Sequence, residues 1–193
     1  MKLFAALAAL LFAAVPAQAQ TAPREVNITA DSAPGWVPSI AQDQAVDGAT
    51  DAWFAALESG DFARAYAMLA PANRTEPYAD FARRNAAARD NAGALRGRTV
   101  LKVTWTKDPA NAPAPGVYAA VDIAERHANV DRQCGYLIWY QPPEGGPFLL
   151  MRTETSRFDN AAAAQIEKQQ GRAEVDRVWA VASANCPNYR MPD

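Results

Sequence analysis

The hydrophobic period of this chain changes from about 3.6 residues to 2 between Gly93 and Thr99, and that switch restricts the fold more than any other feature. Upstream, Val46, Ala49, Trp53, Ala56 and Leu57 lie on one helical face. Gly60 stops that helix, and Asp61 is placed to cap the next, because its carboxylate can accept free N–H groups of a first turn. Phe62, Ala65, Tyr66 and Leu69 form a second apolar face, which Pro71 ends. A third helix opens at Thr75 or Glu76 with Pro77 in its first turn, where a missing N–H costs nothing. Tyr78 and Phe81 are expected to face inward, and Gly93 stops the helix.

Downstream, Thr99 to Thr106 alternates, with Leu101, Val103 and Trp105 on one face. Residues 108–116 form a Pro-rich loop, and Val117 to Glu125 is a second strand. Asn129 to Arg132 turns the chain into a third strand, Cys134 to Gln141. Pro142 to Pro147 is a turn, since Pro and Gly cannot continue a ladder. Phe148 to Thr155 is the fourth strand. Short connections favour antiparallel neighbours. Helical character returns at Asp159, divided by Gly171, with Val175, Val178, Trp179 and Ala182 as a narrow apolar stripe. Helices, then strands, then a tail predict an α+β fold. The expectation is helices packed in a curved, cone-like, four-stranded antiparallel sheet, plus a C-terminal helical tail.

The first residues have the order of a secretory signal: Lys2, an apolar stretch to Val15, then Ala17 and Ala19 at the −3 and −1 positions. Cleavage is expected after Ala19, giving a periplasmic or secreted protein. Residues 20–39, with Pro23, Pro34, Gly35 and Pro38, read as an extended, partly disordered leader that Trp36 and Val37 can anchor. Residues 40–157 form the domain, and 158–193 its helical extension. Two cysteines, Cys134 and Cys186, favour a disulfide in an oxidising compartment. No apolar run after residue 20 approaches a membrane span.

Charge argues against a polyanion partner: 19 basic against 21 acidic residues give a net −2, whereas phosphate tracking needs a basic excess. The distribution is uneven. Arg83, Arg84, Arg89, Arg96 and Arg98 form either an anion patch or, the preferred reading, the basic side of ion pairs with an acidic first helix. The single histidine, His127, excludes multi-histidine metal sites and reads as a surface residue in a turn. No Gly-x-Ser-x-Gly elbow accompanies it.

Ala52-Trp53 with Leu57, Ser59-Gly60-Asp61-Phe62 and Tyr66, then Pro115-Gly116-Val117-Tyr118 and Gly145-Gly146-Pro147-Phe148, together resemble a bacterial exported family of unknown function, numbered 4019. That family sits in the wider superfamily shaped like nuclear transport factor 2 and ketosteroid isomerase. The resemblance covers about residues 45 to 157, with Tyr66 and Phe148 where members typically have Trp. It implies a cone with one open end, which in that superfamily often holds a ligand or an active site, and no established reaction for this branch.

Candidates for the lining of such a pocket are the strand aromatics Trp105, Tyr118, Trp139 and Tyr140 and the carboxylates Asp122, Glu125 and Glu154. Alternation sends Tyr136 and Tyr140 to one face and Trp139 to the other. The bland reading of the aromatics is core packing, and of the carboxylates, surface ion pairs with Arg126, Arg152 and Arg157. No catalytic set, metal site or cofactor is expected. The expectation is therefore a non-catalytic domain binding a small molecule or a protein partner. The alternative is a small isomerase- or hydrolase-like enzyme using a carboxylate whose pKa an apolar pocket raises.

Overall fold

The computed structural model describes residues 24–184 and 186. The expected signal segment and its cleavage point lie outside them, as do the residues after Cys186.

Helix α1 (Ile40–Ser59) begins earlier than its apolar face suggests. Ser39 and Gln42 make a reciprocal capping box, with the Gln42 N–H donating to Ser39 Oγ at 3.1 Å and the Ser39 N–H to Gln42 Oε1 at 3.0 Å. The helix ends at Gly60, whose φ of 79° is the left-handed conformation that favours glycine. Asp61 caps α2 (Phe62–Met68) by accepting from the Arg64 N–H. A 3-10 turn at Pro71–Asn73 leads to α3 (Tyr78–Ala92), stopped at Gly93. Phe81 is buried as expected. Tyr78 is not: it is exposed, and only its ring meets Tyr66, with centroids 5.6 Å apart.

The sheet corrects the expectation of four antiparallel strands. It has five, in the order β1-β2-β3-β4-β5, and it is mixed. β1 (Glu25–Ile28) comes from the segment expected to be an unstructured leader. It pairs parallel to β2 (Leu95–Lys107), from Glu25 opposite Lys102 to Ile28 opposite Trp105. Four residues are too few for a period to stand out, and the partner strand lies some seventy residues away. A parallel pair needs a long crossover, which α1–α3 supply. The other strands, β3 (Val117–His127), β4 (Val130–Gln141) and β5 (Leu149–Asp159), are antiparallel neighbours. The turn expected at Asn129 to Arg132 shrinks to two residues, and β4 starts at Val130.

One face of the sheet meets α1–α3 across a single core. Trp53, Phe54 and Phe81 from the helices pack against Val103, Trp105, Val121, Leu137, Trp139 and Leu150 from the strands, with Phe148 beside them. The Trp139 indole N–H donates to Thr50 Oγ1 at 2.9 Å, so α1 and β4 are joined inside the core by one satisfied polar pair. The other face carries the tail. Helix α4 (Asn160–Gln170), capped by Asp159, and α5 (Arg172–Ala182) follow β5. Trp179 packs with Cys134, Cys186 and Phe158. Cys134 and Cys186 form a disulfide with Cα atoms 6.2 Å apart. Arg132 is buried beneath α5 and donates to Asp176 at 2.9 Å and Asp131 at 2.7 Å. Val175 and Trp179 of the expected stripe are buried; Ala182 is exposed. Among the described residues no helix is long and apolar enough to cross a membrane.

Candidate functional site

Strand alternation divides the predicted site residues between two faces, so they do not line one pocket. Trp105 and Trp139 are fully buried in the helix-side core. The Trp105 ring meets Trp36 and Phe148, with centroids 6.4 and 6.1 Å away.

Glu125 is also on the helix side, and it is buried, which corrects its reading as a surface ion-pair residue. It follows Val121 and Ile123 at period 2, so parity alone places it on the apolar face. Its carboxylate accepts from Arg98 Nε at 2.7 Å and from the Gln133 amide. Arg98 also pairs with Glu58 of α1, and its guanidinium lies 3.7 Å from the Phe54 ring centroid. His127 Nε2 stands 3.8 Å from Glu125 Oε2, an ion-pair distance and not a hydrogen bond. His127 is therefore not the surface turn residue expected: its side chain is only 12% exposed, and Nδ1 lies 3.4 Å from the Gly93 carbonyl. Burial pushes the Glu125 carboxyl up, but His127 and Arg98 together outweigh it and hold the group below its ordinary value. A carboxylate so placed ties α1, β2, β3 and β4 together, and its shift is opposite to the one a proton carrier near neutrality needs. Sequence reasoning missed Arg98 and Gln133 as its partners, because both come from neighbouring strands.

Tyr118, Tyr140, Asp122 and Glu154 lie on the opposite face, half-buried. Tyr118 stands opposite Tyr140 in register, with ring centroids 5.0 Å apart. The Tyr118 and Tyr140 hydroxyls donate to the carbonyls of Ala114 and Pro115 in the loop before β3. One cross-strand row runs Glu25, Lys102, Asp122, Tyr136, Glu154. Burial raises the Asp122 carboxyl, Lys102 opposes that and Glu25 adds to it. Arg152, first, and Tyr136 hold Glu154 low. The Arg152 guanidinium pairs with Glu154 and lies 5.7 Å from the Tyr136 ring centroid. The face is thus a patch of tyrosines bordered by paired charges. It is bounded where Cys186 reaches Tyr136 and Glu154 across a cleft of about 170 Å³. Tyr136, passed over among the pocket candidates, lines that cleft; register with Asp122 is the signal that marks it.

Four of the five arginines of the basic stretch are paired, three of them within or just before α3 and only Arg98 with the acidic first helix, which corrects the expected pairing of the two helices. Arg83 pairs with Asp80, Arg84 with Glu76, Arg89 with Asp90, and Arg98 with Glu58 and Glu125. Arg24 instead joins the start of β1 to Asp43 and Asp47 of the acidic α1. Among the described residues no cluster of three or more His, Cys, Asp and Glu side chains is arranged to hold a metal ion.

Fold and surface together define an α+β domain with a packed helical layer on one sheet face and a partly open face, edged by a disulfide-tethered helix, on the other. The chain belongs to the family described as protein of unknown function (DUF4019), whose model matches residues 49–149. That span runs from α1 to the first residue of β5, so β1, α4 and α5 lie outside it. No curated protein and no solved structure matches the sequence.

Proposed function

We propose that this is an exported domain, periplasmic or secreted, that binds a protein partner across the sheet face carrying Tyr118, Tyr136 and Tyr140. The observation that carries this reading is the partition of the sheet. The helix side is filled by Trp53, Trp105, Trp139 and Phe148, whereas three tyrosines, Ile138 and Arg152 stay half-buried or exposed on the other side. Tyrosine and arginine are enriched in protein interfaces, tyrosine because its rigid ring brings large area at little rotamer entropy and arginine because its planar guanidinium makes several directed hydrogen bonds. Export rests on the signal order of residues 1–19 and on the disulfide. A bacterial source and the nuclear transport factor 2-like placement rest on the alanine-rich sequence and on three helices packed against antiparallel strands. The near balance of basic and acidic residues favours a protein over a nucleic acid.

The test is a photo-crosslinking side chain placed in turn at Ile138, at Tyr140 and, as a control, at the exposed Arg83 of α3, in the protein's own compartment. Discrete crosslinked species from positions 138 and 140, absent from 83, are expected. The same pattern at all three positions, or no species at all, would refute the proposal.

A further inference from the structure

The cross-strand row on the tyrosine face holds three carboxylates, and the fold answers two of them. Glu154 pairs with Arg152, and Glu25 accepts from the Asn27 amide at 2.8 Å. Asp122 is half-buried and makes no hydrogen bond and no ion pair with any described residue, although Lys102 stands opposite it in register. Burial raises its carboxyl above the ordinary value, as expected of a charge that has lost water and gained too little in return. Its surroundings suit a guanidinium. On the β4 side Asp122 stands opposite Tyr136, whose ring already has the Arg152 guanidinium 5.7 Å from its centroid. The next residue of β3 on this face, Ala120, lies between Thr104 and Ile138 in register, and its single methyl group leaves the side-chain layer low there. Beyond it come Tyr118 and Tyr140, whose hydroxyls are tied to the Ala114 and Pro115 carbonyls at 2.7 and 3.0 Å. Rings fixed in advance lose little freedom on binding.

We infer that the protein partner of this face supplies an arginine, its guanidinium paired with Asp122 beside Tyr136 and its stem lying over Ala120 towards the Tyr118 and Tyr140 rings. The inference rests on reading the face as a partner surface and adds the chemistry the partner brings to it. The planar fork of arginine meets both oxygens of a carboxylate while its flat face lies on an aromatic ring, which the ammonium of lysine does not reproduce. Interfaces are correspondingly enriched in arginine and depleted in lysine.

The experiment adds purified protein with the photo-crosslinking side chain at Ile138 to native extract of its own compartment. Asp122→Asn keeps the shape, removes the charge and loses no native bond, so its melting temperature should not fall below the parent's. It is expected to lower the crosslink yield about tenfold or more, as loss of a charge-assisted bond does. Asp80→Asn makes the same change of charge on α3, away from the tyrosine face, and is expected to leave the yield within about twofold. Extract whose arginines are first blocked with phenylglyoxal should give no crosslinked species, whereas extract whose lysines are acetylated should still give them. A parent that captures nothing would overturn the reading of the face and this inference with it. Capture that neither Asp122→Asn nor phenylglyoxal weakens, that Asp80→Asn weakens equally, or that lysine acetylation abolishes would overturn the arginine alone.

Discussion

Thr50 and Glu125 are polar groups enclosed in an apolar layer, and each is tolerated because its partners are already in place. Thr50 Oγ1 accepts the Trp139 indole N–H. Thr50→Val keeps the shape but leaves that N–H buried without a partner, so we expect a loss of about 1–3 kcal/mol in chemical denaturation. A larger loss from Thr50→Val than from Thr50→Ser, which keeps the accepting hydroxyl, would agree; equal losses would show that the bond contributes nothing. Glu125 makes a prediction in pH. Its folded carboxyl titrates below the ordinary value of 4.5 because His127 and Arg98 outweigh the effect of burial. The unfolded chain therefore takes up the proton first as pH falls. The stabilisation is complete above about pH 4.5 and is lost as pH drops through the folded value. Glu125→Gln should flatten that acid limb and cost about 3 kcal/mol at neutral pH, because Arg98 is left without its buried partner. An acid limb as steep in Glu125→Gln as in the parent would contradict this assignment.

Gly135 and the disulfide set the relation of the tail to the sheet. A Cβ at Gly135 would stand 2.1 Å from the Glu154 carbonyl oxygen in the neighbouring strand, so backbone and not a flexible side chain would have to move. Gly135→Ala is expected to destabilise by about 1–3 kcal/mol, the range for forced overpacking, and to broaden the NMR signals of β5 before those of α1. The disulfide closes 52 residues, for which chain entropy alone gives about 4 kcal/mol. Cys186→Ser should speed hydrogen exchange across α4 and α5 and leave α1–α3 protected, because the helix-side core includes neither cysteine. Uniform loss of protection would show one cooperative unit. Legibility from sequence follows the same division. The helices, their Gly60 and Asp61 boundaries, and the four long strands were readable because each rests on local periodicity or a local cap. β1 was not, since its four residues acquire meaning only against Val103 and Trp105. Parity along β3 and β4 correctly divided Trp139 from Tyr136 and Tyr140. It could equally have placed Glu125 inside, but not Arg98 or Gln133 around it, because those contacts depend on cross-strand register.

On the scale of the whole molecule, a sheet with one packed face has one face left to work with. Helices α1–α3 occupy the first, α5 covers part of the second, and the tyrosine patch is what remains. Glu125, a carboxylate enclosed on the helix side, is held as an anion by its neighbours, so its own position does not suit it to carry a proton near neutrality. The most direct test is the apparent mass of the protein in native extract of its own compartment, read by size exclusion for the parent chain and for Tyr118→Ser/Tyr140→Ser. Both rings are half-buried, face each other 5.0 Å apart and lie outside the helix-side core, so circular dichroism and melting should confirm an intact fold in the variant. The account predicts that the parent elutes as a complex larger than the monomer and that the variant moves to the monomer position. A parent that elutes as a free monomer, or a variant that keeps the larger size, would contradict it.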